Sequence, residues 1–356
     1  MRNWKRWMSA ICAAVMVTGL CACGGSGASG TTAAAGNDSN SGSAAASSDA
    51  SYNFNISVDA SEEETIYKYA VNLKEELESR SNGQIACTVY GNGSLGGDSE
   101  ALQSCADGSI AIVLSTTAPQ VTIMPELAMF DLPNLYTDIS QFRALFDDEE
   151  FMTKLNTIYT NGGFHLLGVA DSGFREMTSN VKVESLSDFS GVKIRTMQNS
   201  NHIAIWQAYG ANPTPMSFSE VYIGLQQGTI DAQENPIEVA VSSKFYEQQK
   251  YLIMTNHLPH ACVALISGSI YNDLPDDLKK AVDEAGEAAA SYTRNLSDTQ
   301  NEAQLKLMQE NGTEVIELSA DVQKAMKDAC ASVYDSIREQ IGDDTMDLIQ
   351  NAAGQQ

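Results

Sequence analysis

Arg175 and Arg195 are the residues in this sequence best suited to hold a small anion. Each lies in or at the end of a predicted strand, in a chain with 21 basic residues against 46 acidic ones. A guanidinium group stays charged at neutral pH, and its fork of N–H donors matches the two oxygens of a carboxylate. If the two forks converge, they form a site for a carboxylate-bearing molecule. If they do not, each is an ordinary surface arginine.

A glycine-rich turn at residues 91–96 has the GxGxxG spacing of a dinucleotide-binding loop. Such a loop requires an acidic residue about 20 positions further on, which holds a ribose hydroxyl. Here the next predicted strand ends in Leu-Ser-Thr-Thr at 114–117. We therefore expect no nucleotide and no other cofactor.

His257, His260 and Cys262 are the only cluster whose spacing suits a metal ion. Pro259 lies between the histidines and argues against a helical pair. A zinc site needs three or four ligands in a fixed geometry, and nothing else in the sequence supplies them. We expect no metal site. The sequence also lacks the GxSxG and HExxH motifs of hydrolases.

The elements that position these residues alternate between strands and helices. Strands are predicted at residues 53–58, 84–90 and 110–114, with helices at 61–83 and 97–108, and later strands at 164–169, 174–178 and 192–195, with a helix at 200–209. Right-handed connections between such strands predict an open, mostly parallel sheet with helices on both faces. Ser217 and Glu220 form a capping box whose short helix places Phe218 and Tyr222 on one side.

A very long helix is predicted at residues 276–310, which contain no proline and one glycine, Gly286. At 1.5 Å per residue it extends about 50 Å, which is longer than one small domain. The body from Tyr52 onward is large enough for two lobes. We therefore expect the helix to brace both lobes.

Six segments, in this order along the chain, resemble the solute-binding proteins of tripartite ATP-independent periplasmic (TRAP) transporters. They are YGNGSLGG at 90–97, PELAMFDLP at 125–133, DSGFR at 171–175, VKIR at 192–195, the stretch 210–228, and DAQENP at 231–236. The resemblance covers nearly the whole body. It also explains the glycine-rich turn without a nucleotide.

The resemblance implies roles for individual residues. Arg175 and Arg195 match the carboxylate-binding arginines, Asn235 matches an asparagine that contacts ligand, and Phe218 and Tyr222 match an aromatic wall. Alternatives remain open for three of them. Asn235 precedes a proline and suits a helix N-cap, and the two aromatic residues suit ordinary core packing.

Glu100 and Asp171 are also candidate ligand contacts. Carboxylates repel a second carboxylate but accept hydrogen bonds from hydroxyls, which favours a sugar acid such as a uronate or aldonate over a plain dicarboxylate. Glu100 has an alternative role in bracing its own helix.

The fold that the resemblance implies is an α/β, two-lobed, periplasmic-binding-protein-like fold with open, mostly parallel sheets and a hinge between the lobes. We predict lobe I at residues 52–172 plus about 261–300, and lobe II at 173–260 plus about 301–354. Closure of the lobes traps the ligand for delivery to a membrane permease. This function needs no catalysis.

The N-terminal segment indicates export. Basic residues precede an apolar run at residues 8–22 that is too short to span a bilayer, and LCAC at 20–23 resembles a lipobox. We predict a signal peptide at 1–22, a lipidated Cys23 and a flexible linker to residue 51, with about 30 Å of reach. The protein would then be anchored to the outer face of the cell membrane.

Charge and cysteine content agree with that location. Signal removal lowers the basic residues from 21 to 18 and the net charge from −25 to −28, so we expect no nucleic-acid partner. Besides the lipidated Cys23, four scattered cysteines remain, at positions 87, 105, 262 and 330. They suit either buried thiols or a single bridge between Cys87 and Cys105.

Two other functions compete with this interpretation. One is the binding lipoprotein of an ATP-driven importer, which shares the two-lobed architecture but pairs with a different permease. The other is a lipid-anchored enzyme, which would turn over the molecule that it binds.

Overall fold

A computed structural model of the protein describes residues 50–354. The predicted signal peptide, Cys23 and the linker up to residue 49 lie outside the described residues. Within 50–354, no helix is both long enough and apolar enough to cross a membrane.

The described chain contains nine strands and thirteen α-helices. The strands are β1 (Tyr52–Val58), β2 (Ile85–Tyr90), β3 (Ile112–Thr116), β4 (Phe164–Ser179), β5 (Lys193–Thr196), β6 (Asn212–Pro215), β7 (Ala232–Asn235), β8 (Tyr251–Ser267) and β9 (Glu314–Glu317). The helices are α1 (Thr65–Arg80), α2 (Asp98–Ala106), α3 (Thr117–Gln120), α4 (Ile139–Arg143), α5 (Glu149–Asn161), α6 (Ser200–Ala208), α7 (Val221–Gln226), α8 (Ile237–Ser242), α9 (Gly268–Asp273), α10 (Asp276–Glu310), α11 (Ala320–Ala329), α12 (Ala331–Ile341) and α13 (Asp343–Ala352). Short 3-10 helices lie at Pro125–Phe130, Ala144–Asp147, Leu186–Phe189, Phe218–Glu220 and Phe245–Glu247.

The strands form one sheet in the order β2-β1-β3-β8-β4-β7-β5-β6, and β9 pairs with β8. Its two ends are parallel, because β1 pairs with β2 and β3, and β5 pairs with β6 and β7. The middle is antiparallel, because β8 pairs in this way with β3 and β4, and β4 pairs in this way with β7. Two parallel α/β parts are thus connected by two long strands, as expected of a two-lobed α/β fold.

Strand β4 is continuous where the sequence predicted two strands, at 164–169 and 174–178. Its pairing with β8 shifts register between Asp171 and Phe174. Gly173, in this irregularity, has φ of 80°, a backbone conformation that glycine adopts without strain. The glycine therefore makes a bulge in one strand instead of ending it.

Helix α10 begins and ends at the residues that the sequence predicts. Leu278 and Val282 pack into a core with β1, β3 and α1, whereas Met308 packs into another with α7 and α8. The helix thus contacts two cores, as expected of a brace. At Gly286 it approaches β4 so closely that a Cβ atom would lie 2.2 Å from the carbonyl oxygen of Leu167.

The cysteines at 87, 105, 262 and 330 are all buried free thiols. Of the two possibilities that the sequence left open, the structure has buried thiols and no bridge between Cys87 and Cys105. Burial raises the pKa of each of these two thiols to about 12, so neither is a reactive thiolate at neutral pH.

Candidate ligand-binding site

A cleft lies at the carboxyl ends of the parallel strands from both ends of the sheet. Asp59 follows β1, Thr116 ends β3, Met197 follows β5, Met216 follows β6 and Asn235 ends β7, and all five line the cleft. Its empty volume is about 770 Å³, including the part open to solvent. Ligands bind in this position in open α/β sheets, because strand ends and the following loops converge there.

Arg195 lies in β5 and lines the cleft with 3% of its surface exposed. Its Nε and Nη2 donate to the carbonyl oxygen of Met216, at 3.1 and 2.8 Å. Its Nη1 is buried and has no hydrogen-bond partner, and within residues 50–354 it forms no ion pair. Burial lowers the pKa of Arg195 to about 10, partly offset by the charge of Glu234. The group is still cationic at neutral pH and has an unused donor.

Arg175 is 1% exposed and its guanidinium group is occupied by protein groups. It donates to both carboxylate oxygens and to the backbone oxygen of Glu234, and to Oδ1 of Asn235 at 3.1 Å. Its Nη1 also contacts Nδ1 of His260. Arg175 is therefore neutralised by Glu234 and lies behind the cleft wall.

Glu234 connects Arg175 to a second histidine, because His257 Nε2 lies 2.9 Å from its Oε2. Burial alone would raise the pKa of Glu234. The charge of Arg175 and the hydrogen bonds from His257 and Arg175 outweigh burial and hold the pKa well below its usual range. Burial lowers the pKa of His257. The carboxylate stays ionised at neutral pH and keeps Arg175 in place.

His260 lines the cleft as a neutral imidazole, because burial and then the charge of Arg175 hold its pKa well below its usual value. A guanidinium group has only donors, so Nδ1 of His260 accepts from Arg175. The ring proton must then be on Nε2. His260 is thus a candidate hydrogen-bond donor to a bound molecule.

Asn235 ends β7 and is 4% exposed. Besides accepting from Arg175, it donates from Nδ2 to Oε1 of Gln233 at 2.7 Å. The N-cap of α8 is Pro236, not Asn235, and it makes no side-chain capping bond. The arginine and the glutamine therefore fix the orientation of Asn235 at the cleft.

The remaining sequence candidates fall in different places. Glu100 and Phe218 line the cleft. Tyr222 lies with Phe218 in an adjoining depression, where its hydroxyl donates to Glu247 at 3.1 Å. Asp171 is fully buried and accepts from Arg143 at 2.7 and 3.0 Å, away from the cleft lining. The structure brings Arg195, Asn235, Glu100 and Phe218 together, and leaves Arg175, Tyr222 and Asp171 outside the main cleft.

Several acidic residues of the cleft wall were missed from the sequence. They are Asp59, Glu64, Asp98 and Glu238. Asp59 had a usable signal, since it directly follows a predicted strand and ligands bind at the strand ends of open α/β sheets. For Glu64 and Glu238 the sequence contained no signal of a place in the cleft. Glu238 contacts the N-terminus of α1, which is 173 residues away in the chain. No group of His, Cys, Asp or Glu side chains in the described region is arranged to hold a metal ion.

Two α/β parts joined by long strands, with a cleft at the strand ends and a buried arginine with an unused donor, define a solute-binding protein of the periplasmic type. The chain belongs to the bacterial extracellular solute-binding proteins of family 7, whose sequence profile matches residues 56–340. It is a solute-binding protein of the TRAP class, as the sequence resemblance predicted.

Individual relatives agree with this assignment. A solute-binding protein of Verminephrobacter eiseniae is 31% identical over 283 residues, which cover 78% of this chain and 82% of the relative. The sugar acid binding protein of Advenella mimigardefordensis in complex with galactonate has a TM-score of 0.81 at 30% identity, covering 85% of this chain and 97% of that one. A TRAP periplasmic solute-binding protein of Sulfurospirillum deleyianum with bound succinate has a TM-score of 0.79 at 28% identity. The match covers 85% of this chain and 99% of that one.

The family places the protein outside the cytoplasm and makes it a binding protein, not an enzyme. The alternative function considered above, that of a lipid-anchored enzyme, is therefore wrong. The importer of the ATP-driven type is also set aside, because the family and the structural relatives are of the TRAP class.

Proposed function

We propose that the cleft captures a small organic acid whose carboxylate binds Arg195, and that the protein delivers this acid to a TRAP membrane permease. The observation that carries the proposal is the buried Nη1 of Arg195, which has no partner. Buried donors are nearly always paired in folded proteins, so an unpaired guanidinium donor at a cleft supports an anionic ligand.

The strength of this contact follows from its surroundings. A hydrogen bond to a charged group contributes about 1.5 to 3 kcal/mol net, and exclusion of water from the cleft strengthens it. The net charge of the whole protein does not oppose it strongly, because exposed charges beyond a Debye length of about 8 Å are screened. Loss of Arg195 should weaken binding at least about tenfold.

The acidic part of the cleft supports a sugar acid, such as a uronate or aldonate, over a dicarboxylate. Within residues 50–354, the carboxylates of Asp59 and Glu100 accept no side-chain or backbone hydrogen bond. They would repel a second carboxylate and accept hydrogen bonds from hydroxyls. Among the structural relatives, one holds the sugar acid galactonate and another holds succinate.

We assign direct ligand contact to Arg195, Asn235, Glu100 and Phe218. Arg175 supports the site through Asn235 and His260, which it orients by hydrogen bonds. Asp171 and Tyr222 stabilise the walls. Opening and closing would bend β4 and β8 near the bulge at Gly173, where the register shift weakens the ladder.

We also propose that Cys23 carries a lipid that tethers the protein to the outer face of the cell membrane. The lipobox-like sequence that ends at Cys23 supports this. Expression of residues 1–356 in the presence of a radiolabelled fatty acid should label the wild-type chain and not Cys23→Ala. Equal labelling of both would overturn the anchor and leave the binding function untouched.

The test of ligand binding uses the chain from residue 24 to 356. Thermal shift with galactonate, galacturonate and succinate should show stabilisation of about 2.7 kcal/mol at 100 times the dissociation constant. Arg195→Ala should lose this shift, whereas Arg80→Ala, which removes the same charge from an exposed ion pair, should keep it. Stabilisation by neutral sugars alone, or an unchanged shift in Arg195→Ala, would refute the proposal.

A further inference from the structure

Glu64 and Glu238 reach the cleft from two different cores of the protein. Glu64 immediately precedes α1, which packs with β1 and β3, whereas α8, which carries Glu238, packs with α7. Their exposed fractions are 3% and 4%, and both line the cleft. Two carboxyl groups are therefore buried where the two packed parts face each other.

The contacts of the two groups connect these parts. Glu64 Oε1 accepts from the backbone N–H and the hydroxyl of Ser61, each at 2.9 Å. Glu238 Oε2 accepts from the backbone N–H of Thr65, the first residue of α1, at 3.2 Å. The sequence predicted that Ser61 opens this helix, but it begins at Thr65, and Glu238 satisfies one of its free N–H groups.

Neither carboxyl has a cationic partner. The charged or titratable groups that line the cleft with them are Asp59, Asp98, Glu100, Arg195 and His260. Lys68 in α1 and Cys262 in β8 interact electrostatically with Glu238. The elements packed against α8 also carry Asp171 and Arg175 in β4, Glu247 in a 3-10 helix and Arg294 in α10. Among the described residues, the salt bridges include none to Glu64 or Glu238. The charge of Lys68 acts on Glu238, but the Nζ of Lys68 donates to the backbone oxygen of Glu63 at 2.6 Å.

Two carboxylates buried without a counter-ion cannot both remain ionised, because desolvation and mutual repulsion favour the neutral form. Burial, and next the charge of Glu238, raises the pKa of Glu64 to about 8. Burial raises the pKa of Glu238 to about 7, even though the hydrogen bond from Thr65 acts in the opposite direction. The geometry and the electrostatics agree that the pair retains a proton at neutral pH.

We propose that the closed cleft holds one proton on the Glu64–Glu238 pair, so that capture of the organic acid is accompanied by proton uptake. This inference rests on the proposed function, because it requires the cleft to open and close around a ligand. In an open cleft water reaches both carboxyls, and each ionises with an ordinary pKa of about 4.3. On closure the pair takes one proton from solvent.

The sign of the pH dependence follows from linkage. The bound form holds more protons than the free form between about pH 5 and pH 8, so binding weakens as pH rises through that range. The apparent dissociation constant should rise by up to about tenfold per pH unit near pH 6 and level off above about pH 8. The carboxylate of the ligand is ionised throughout this range and contributes no such slope.

Isothermal titration with galactonate at pH 7, in phosphate and in Tris, measures the protons taken up from the difference in heat between the two buffers. We expect about one proton per galactonate for the wild type. The double variant Glu64→Gln/Glu238→Gln should lower the uptake by about one proton, and each single variant should lower it by part of that amount. Glu62→Gln, an exposed neighbour on the same segment, is the matched control and should keep the wild-type value.

The outcomes separate the two proposals. Galactonate binding with equal heats in both buffers, or an uptake in the double Gln variant equal to that of the wild type, overturns the proton site and leaves the proposed function standing. If galactonate, galacturonate and succinate all fail to bind the wild type, the proposed function fails, and the proton site fails with it.

Discussion

The buried ion pair between Arg175 and Glu234 offers a direct test of how the cleft is held together. Glu234→Gln keeps the size of the side chain but removes the charge that neutralises Arg175. Both groups have almost no exposed surface, at 1% and 0%, so solvent cannot replace the lost carboxylate. Removing one partner of a buried pair costs about 3 to 5 kcal/mol, since an uncompensated charge remains inside the protein.

The lower end of that range is expected here, because the glutamine oxygen still accepts one N–H of Arg175. A loss of about 3 kcal/mol corresponds to a fall in Tm of about 5 °C for a protein of this size. Glu284→Gln is the matched control, since it removes a carboxylate from an exposed pair with Arg80. That pair contributes about 1 kcal/mol or less, so the control should lose at most about 2 °C.

Unfolding can be followed by the fluorescence of Trp206, the only tryptophan after residue 7. Its ring is fully buried and lies 5.1 Å from that of His257, which contacts Glu234. Adding Arg175→Met to Glu234→Gln should recover part of the loss, because no unpaired charge then remains. A Tm for Glu234→Gln within about 2 °C of wild type, or no recovery in the double variant, would refute this account of the pair.

Two further predictions concern the brace and the pH dependence of stability. Gly286→Ala should destabilise the protein by about 1 to 3 kcal/mol in denaturant titration, because the new Cβ would meet the carbonyl of Leu167. The control is Ser291→Ala, at an exposed position on the same helix. A Gly286→Ala variant that is more stable than wild type would contradict the close approach of the helix to β4. Burial raises the pKa of Glu176 to about 8, so the folded state holds a proton that the unfolded state releases above about pH 4.3. The stability that this group contributes is complete at low pH and is lost as the pH rises to about 8. Tm should therefore fall between about pH 5 and pH 8 in the wild type, and it should fall less in Glu176→Gln. Identical slopes of Tm against pH in the two proteins would exclude Glu176 as the source of the slope.

Local sequence patterns were sufficient for strands β1 to β5 and for helices α1, α2, α6, α7 and α10, and the other strands and helices were not predicted. The bounds of α10 follow from a run with no proline and regular apolar spacing, which leaves helix as the only conformation that buries one face. Strands β1, β2, β3 and β5 were likewise predicted to within about two residues, whereas the edge strand β6 was not predicted. The antiparallel centre was not predicted, because strand direction depends on which distant strands pair, and a glycine bulge inside β4 looked like a strand end.

The sequence by itself determined that this chain has an arginine pair suited to carboxylates, and the family resemblance carried by its motifs. The family resemblance favoured Arg195 over Arg175, but the residue patterns alone did not distinguish them, since each lies in or at the end of a predicted strand. Only the tertiary structure decided this, by placing Glu234 against Arg175 and leaving the Nη1 of Arg195 unpaired. The partners that neutralise or expose a charge come from segments far apart in the chain, so the electrostatics of the cleft exist only once the chain has folded.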